Sequence, residues 1–120
     1  MLIAICDDEA FFRDELRSYL VEYGKSRRTL VEIFEYSNGE TLCSSDYAFD
    51  MVFLDYQMPG IDGMETARLL RRRNHRCNIV FVTNFPNFMI ESFEVNPYRF
   101  YIKPVCKDKI FAMLDEYIRQ

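Results

Sequence analysis

The sequence predicts an α/β fold built on a parallel sheet with helices covering both faces. Two observations carry this. Short apolar runs alternate with longer stretches whose apolar residues recur at helical spacing, which is the pattern of repeated βαβ units. The runs Leu2 to Cys6 and Met51 to Leu54 are apolar throughout rather than alternating, as strands buried on both faces are.

The elements follow in order. A strand over 2–6 runs into Asp7, Asp8 and Glu9, and a helix over 9–24 carries Phe12, Leu16, Tyr19, Leu20 and Tyr23 on one face, with Gly24 as its expected stop. A strand over 30–36 and a short helix over 39–45 precede the strand 51–55. That strand ends at Asp55 and breaks into Tyr56-Gln57-Met58-Pro59-Gly60, a turn signal, before Ile61-Asp62-Gly63 opens a helix over 62–73. Met64, Ala67, Leu70 and the stem of Arg71 share a face of that helix. A strand over 79–83 stops at Thr83, a helix spans 87–95, and a strand over 99–103 stops at Lys103-Pro104. The last helix, 107–119, sets Ile110, Met113, Leu114, Tyr117 and Ile118 on an apolar stripe.

At 120 residues and 49% hydrophobic content the chain makes one domain with a real core. No apolar stretch reaches membrane-spanning length. Met1 leads straight into a strand with no basic segment or cleavage signal, so a cytoplasmic setting is expected. The net charge of −4 does not mark the domain itself as a nucleic-acid binder. Cys6, Cys43, Cys77 and Cys106 have no metal-ligand spacing and the one histidine is His75, so free thiols rather than zinc or disulfides are expected, with a redox role left open. Lys25, Arg27 and Arg28, and likewise Arg71, Arg72, Arg73 and Arg76, gather at helix C-termini, where solvated cations complement the helix dipole.

Parallel strands would bring four polar ends to one rim of the sheet, the edge where open α/β sheets bind ligands. Taken singly, Asp7, Asp8 or Thr83 reads as a helix cap, and Lys103 as an edge lysine whose stem covers apolar surface. Taken together they read as a pocket. Like charges about 4 Å apart repel by on the order of 4 kcal/mol at an effective dielectric near 20, so converging Asp7, Asp8 and Asp55 call for a cation. Oxygen ligands at a wet rim suit Mg²⁺, with a backbone carbonyl such as that of Gln57 completing the shell. Thr83 and Lys103 then add a hydroxyl and an ammonium, which together with a metal are what phosphoryl transfer needs. Asp55, already ionised at neutral pH, is the candidate nucleophile.

These residues resemble the receiver domains of bacterial two-component response regulators over essentially the whole chain. The motifs are Cys6-Asp7-Asp8-Glu9, Phe53-Leu54-Asp55 with Met58-Pro59 and Asp62-Gly63, Val82-Thr83, and Lys103-Pro104. The resemblance implies a flavodoxin-like (βα)5 fold with five parallel strands in order 2-1-3-4-5. It also implies that Asp55 accepts a phosphoryl group from a sensor histidine kinase. Asp8 would hold Mg²⁺ directly and Asp7 largely through water, while Thr83 and Lys103 would bind phosphoryl oxygens. It further implies a cis peptide before Pro104 and an aromatic switch position at Phe100, the other reading being that Phe100 is core in both states. The helix 4, strand 5 and helix 5 face would rearrange on phosphorylation to change a dimer or domain contact, a homodimer being expected. Phe88, Phe93, Tyr98, Tyr101 and Phe111 make that region aromatic, as a core or as a surface.

The stretch from Glu91 to Pro104 resembles receivers of the LytTR class, whose full proteins carry a β-rich DNA-binding domain. The chain ends at Gln120, so it is either an excised or a stand-alone receiver over 1–120; excision is the favoured expectation, with DNA met only through an output domain outside the chain. Asn84 stands where a small residue is usual, and Gln57 at a position that tunes acyl-phosphate lifetime. A phosphatase working through an aspartyl phosphate is a rival reading, but it typically needs an acid where Gln57 stands. A phosphorylation-independent interaction module is the other rival.

Overall fold

The computed structural model describes residues 1–74 and 76–120, so His75 lies outside the described residues. Strands β1 (Leu2–Cys6), β2 (Glu32–Tyr36), β3 (Met51–Leu54), β4 (Asn78–Thr83) and β5 (Arg99–Ile102) alternate with helices α1 (Ala10–Arg27), α2 (Gly39–Cys43), α3 (Gly63–Arg73), α4 (Met89–Ser92) and α5 (Lys107–Arg119). The strands form one parallel sheet in the order β2-β1-β3-β4-β5. The Lys103–Pro104 peptide is cis.

Alternation along each central strand supplies two cores. Ala4, Cys6, Val52, Leu54, Ile79 and Phe81 face one layer, while Ile3, Ile5, Met51, Phe53 and Val80 face the other. Each large side chain among them is fully buried and contributes roughly 1.5–3 kcal/mol relative to exposure. The register then levels the strand ends. Cys6 stands beside both Tyr36 and Leu54, and Leu54 beside Phe81. The ladder runs one residue past the strands, because the Asp55 N–H donates to Cys6 O at 3.0 Å and the Asp7 N–H to Tyr36 O at 3.1 Å. Both acids are thereby fixed by backbone at the same edge.

Four expectations need correction. Helix α1 does not stop at Gly24 but runs to Arg27, and Arg28 takes the left-handed turn at φ 53°. Gly24 has a different use: a methyl there would crowd Thr29 O on the returning chain. Strand β2 starts at Glu32 rather than at 30; Leu30 is exposed and its carbonyl accepts a hydrogen bond from the Met1 ammonium at 3.0 Å. The helix expected over 87–95 is a short α-turn flanked by 3₁₀ turns at Pro86–Phe88 and Phe93–Val95, ended by Asn96 in the left-handed region.

The fourth correction concerns the basic clusters, which are not uniformly solvated. Arg71 donates to Val95 O at 2.7 Å and Asn96 O at 3.0 Å, as well as to Cys77 O, tying α3 to the end of the α4 segment. Arg68 adds ion pairs to Glu91 and Glu94 across the same seam. Arg27 forks onto Asp115 of α5 at 3.0 and 3.1 Å.

The cysteines are free, and their placement orders their reactivity. Cys106 is exposed, whereas burial pushes the Cys77 thiol up to about 11 and the Cys6 thiol well above the ordinary thiol range. Iodoacetamide at pH 8 is expected to alkylate Cys106 first, Cys43 slowly, and Cys6 and Cys77 only on unfolding. Peptide mapping of a time course checks that order, and early modification of Cys6 would contradict it.

Candidate functional site

The strand ends deliver their side chains to one recess. Asp7 and Asp55 are each 6% exposed, Lys103 7%, and Thr83 fully buried. Asp8 stands exposed at the mouth, and the three carboxylates offer oxygens within 4.8 Å of one another. Gly63 makes room for this arrangement, since a methyl there would overlap the Asp55 carbonyl oxygen and Tyr56 Cα as α3 approaches β3. Asp62 caps that helix by accepting the Glu65 N–H at 2.9 Å.

Lys103 Nζ sits 2.8 Å from Asp7 Oδ2 and 3.2 Å from Asp55 Oδ2. The other oxygens are engaged by backbone, Asp7 Oδ1 accepting the Glu9 N–H at 2.9 Å and Asp55 Oδ1 the Tyr56 N–H at 2.7 Å. Burial lifts the Asp55 carboxyl above its ordinary range and the Asp7 charge lifts it further, against the pull of Lys103 and the Tyr56 N–H. Burial opposes the Lys103 ammonium, yet its bonds to Asp7 and Asp55 outweigh that and raise its pKa. The two shifts agree once the stoichiometry is considered: one ammonium cannot neutralise several carboxylates. Counting Asp8, the recess holds an excess of two negative charges. All-oxygen donors of that net charge at a water-facing mouth fit a hard divalent cation.

The remaining predicted residues fall around this group. Gln57 is exposed and lines the mouth together with Asp8, Met58 and Asn84. The Thr83 hydroxyl is tied to its own loop, accepting the Phe85 N–H at 3.1 Å, and among the described residues it makes no hydrogen bond to the carboxylates or Lys103. Phe100 is half-buried, with its ring centroid 5.0 Å from that of Phe88 and 6.0 Å from that of Phe81. Of the aromatic set near α4, Phe88 is core, Phe93 is exposed, and Tyr98, Tyr101 and Phe111 are half-buried.

Three residues with a part in the site were not legible as such. Tyr56 stacks on Phe88 at 4.1 Å, so an aromatic path runs from the residue after Asp55 to Phe100. Arg13 donates to Asp7 O at 2.7 Å and pairs with Glu35, steadying the β1–α1 turn. The Phe12 ring lies under the Lys103 ammonium at 3.8 Å. Phe12 carried a signal only as one of the apolar residues of α1.

Comparison with known proteins decides the family. The response regulator receiver domain family matches residues 3–115. The chain belongs to that family. The sensory transduction protein LytT of Bacillus cereus is 33% identical over 125 aligned positions, covering 98% of this chain and 47% of the relative. The transcriptional regulatory protein BtsR of Escherichia coli is 35% identical over 111 positions, covering 90% of this chain and 44% of the relative. The chain thus spans about half the length of the curated relatives it matches.

Among solved structures, the response regulatory domain of mrkE from Klebsiella pneumoniae superposes with a TM-score of 0.87 at 24% identity, covering 99% of this chain and 96% of that one. Response regulator TrrA from Thermotoga maritima, in complex with Mg²⁺ and BeF, gives 0.83 at 26% identity over 96% of both chains. A receiver domain is a regulatory phosphoacceptor rather than an enzyme that turns over a substrate. Among the described residues, no helix is long and apolar enough to cross a membrane.

Proposed function

We propose that this receiver accepts a phosphoryl group on Asp55 from a sensor histidine kinase in the cytoplasm and thereby controls a LytTR-type DNA-binding output in the full protein. The observation that carries the reading is the recess itself, where a buried nucleophilic carboxylate and a buried ammonium share one hydrogen bond beside two further acids. An Asp55 oxygen attacks the phosphorus of the donor phosphohistidine. The new O–P bond forms as the N–P bond breaks, and the bonding pair leaves with the imidazole nitrogen. Asp7, Asp8, Asp55 and the Gln57 carbonyl would hold Mg²⁺, which supplies positive charge to the phosphoryl oxygens. Lys103 moves from carboxylate to phosphoryl oxygen, a short transfer because it already lies against Asp55.

Thr83 completes the shell and links it to the switch. Its hydroxyl accepts from the Phe85 N–H, which leaves its own proton free to donate to a phosphoryl oxygen. Movement of Thr83 toward the phosphate would draw the Phe85 loop with it. Phe88, packed between Tyr56 and Phe100, would then repack and carry Phe100 further inward. Phe100 is already half-buried, so this step yields less than the roughly 1.5–3 kcal/mol of full burial. Such a gain still biases a two-state equilibrium several-fold.

Two measurements test the reading. Incubation with acetyl phosphate is expected to add one phosphoryl group by intact mass, only with Mg²⁺, and peptide mapping should place it on the segment holding Asp55. Absence of an adduct, together with absence of beryllofluoride binding, would refute the acceptor role. The output side rests on the exposed Ile90 (82%) and Phe93 (66%) on the α4 segment, an apolar surface suited to self-association. The pair of substitutions Ile90→Glu and Phe93→Glu is expected to leave phosphoryl uptake intact but weaken phosphorylation-dependent dimerisation at least about tenfold by sedimentation. Unchanged dimerisation would place the interface elsewhere.

A further inference from the structure

We propose that Phe12 is a positioning residue for phosphoryl transfer, whose ring face holds the Lys103 ammonium while that ammonium exchanges carboxylate for phosphoryl oxygens. The inference rests on the phosphoacceptor reading above and names a residue which that reading does not use. The Lys103 side chain is 2% exposed and its Nζ has three neighbours of note: Asp7 Oδ2 at 2.8 Å, Asp55 Oδ2 at 3.2 Å and the centre of the Phe12 ring at 3.8 Å. An ammonium over an aromatic face is attracted by the ring quadrupole, more strongly where water is excluded. Water is scarce at the ammonium, whose side chain is almost fully buried, and the recess beside it is walled by Leu16, Tyr19, Val82 and Val105 as well as Phe12, with Glu15 the one charged group on that wall besides Lys103 and the acids Asp7 and Asp55.

The placement of the ring is itself built. Phe12 is half-buried, and its ring meets that of the exposed Phe11 edge to face at 5.4 Å and 79°. The next residue, Arg13, donates to the Asp7 carbonyl at 2.7 Å, which ties the helix carrying Phe12 to the turn carrying Asp7. The ammonium is therefore clamped between carboxylates on one side and a π face anchored to the same turn on another.

The chemistry explains why a ring suits this position. During transfer the ammonium must let go of one anionic oxygen and take another, and each exchange made without support would strand a desolvated charge. A ring face attracts the charge without fixing the direction of any N–H, so Lys103 can turn between oxygens and keep this neighbour throughout. An aliphatic side chain would fill the space without that attraction. A carboxamide or carboxylate would capture an N–H and compete with the phosphoryl oxygens.

The test compares Phe12→Leu and Phe12→Tyr with wild type, each with Lys103 intact and with Lys103→Gln, by the rate of Mg²⁺-dependent mass gain from acetyl phosphate. Phe12→Leu is expected to slow uptake about tenfold when Lys103 is present, Phe12→Tyr to stay within about threefold of wild type, and Phe12→Leu to change nothing further once Lys103 is glutamine. In NMR spectra, the Lys103 Hε protons should be shifted upfield by the ring in wild type and lose that shift in Phe12→Leu. Equal slowing by Phe12→Leu in both Lys103 backgrounds would make Phe12 a packing residue and overturn the proposal, as would an unshifted Lys103 signal in wild type. If wild type takes up no phosphoryl group while the Lys103 shift is present, it is the phosphoacceptor reading that fails, and the transfer role of Phe12 falls with it.

Discussion

Replacing Asp55 with asparagine is expected to abolish Mg²⁺-dependent phosphoryl uptake and, in the same protein, to raise the stability of the metal-free fold. The first effect is complete because an amide nitrogen or oxygen of the same shape offers no ionised nucleophile. The second follows from the electrostatics of the recess. Burial and the neighbouring Asp7 hold the Asp55 carboxyl above its ordinary range, so its ionised form is disfavoured in the fold relative to the unfolded chain. A group whose folded pKa is raised contributes stability that is present in full below its unfolded pKa and is lost as pH rises through the folded value. At neutral pH the wild type has lost that contribution, and asparagine never carries the charge.

Thermal unfolding in chelator at pH 7 should therefore place the variant above wild type, the direction set by the raised Asp55 carboxyl. Wild type should also gain stability as pH is lowered through the raised Asp55 range, and the variant less. Millimolar Mg²⁺ should stabilise wild type more than the variant, because a cation that binds only the folded state adds free energy that grows with the logarithm of its concentration over its Kd, and the variant binds it more weakly. The acceptor assignment does not survive if Asp55→Asn takes up a phosphoryl group at the wild-type rate. The electrostatic account does not survive if the variant is less stable than wild type without metal.

The parts of this fold visible in the sequence were those set by local pattern. Apolar runs broken by Asp7, Asp55, Thr83 and Lys103 mark where buried strands meet water, and a parallel sheet has little choice but to put those ends on one rim. The cis bond before Pro104 and the strand order came instead from the family resemblance, and the structure agrees with both. What pattern did not supply were contacts made across the sheet. Arg71 sits in a run of basic residues that reads as a solvated helix end, yet the short, irregular α4 segment leaves the carbonyls of Val95 and Asn96 without helical partners, and its guanidinium fills them. Gly24 reads as a helix stop from its identity alone, whereas the packed neighbour that requires a glycine there comes from a turn several residues later. Phe12 reads as core because nothing in local sequence shows that a lysine 91 positions away will lie over its ring.

Lys103→Met should produce the largest loss of stability of any single change at the rim. Methionine keeps much of the stem's length and apolar character, so the substitution removes mainly the ammonium. Asp7 and Asp55, both buried, then face each other with no cation between them. Removing one partner of a buried ion pair typically costs about 3–5 kcal/mol, and the open mouth at Asp8 places this site near the lower figure, about 3 kcal/mol in urea denaturation at pH 7 with chelator present. The opposite signs of Lys103→Met and Asp55→Asn make the pair informative. Combined, they should be more stable than the sum of the two single changes predicts, since the neutral amide removes one of the carboxylates that the lost ammonium had compensated.

Metal dependence separates this account from simple loss of packing. The ammonium lies 2.8 Å from Asp7 Oδ2, an oxygen that a cation would also draw on, so Lys103→Met is expected to bind Mg²⁺ more tightly than wild type by calorimetry. Saturating Mg²⁺ should then restore most of the lost stability, because it returns positive charge to the same acids. Phosphoryl uptake should nevertheless remain about 100- to 1,000-fold slow, the scale for losing one preorganised charge at a transferring group. Restoration of stability without restoration of rate would show that neutralising the recess and stabilising the transferring phosphoryl group are separate tasks. If Mg²⁺ left the variant as unstable as before, the cost of Lys103→Met would lie in its packing, and competition between ammonium and cation would not be the organising feature of this pocket.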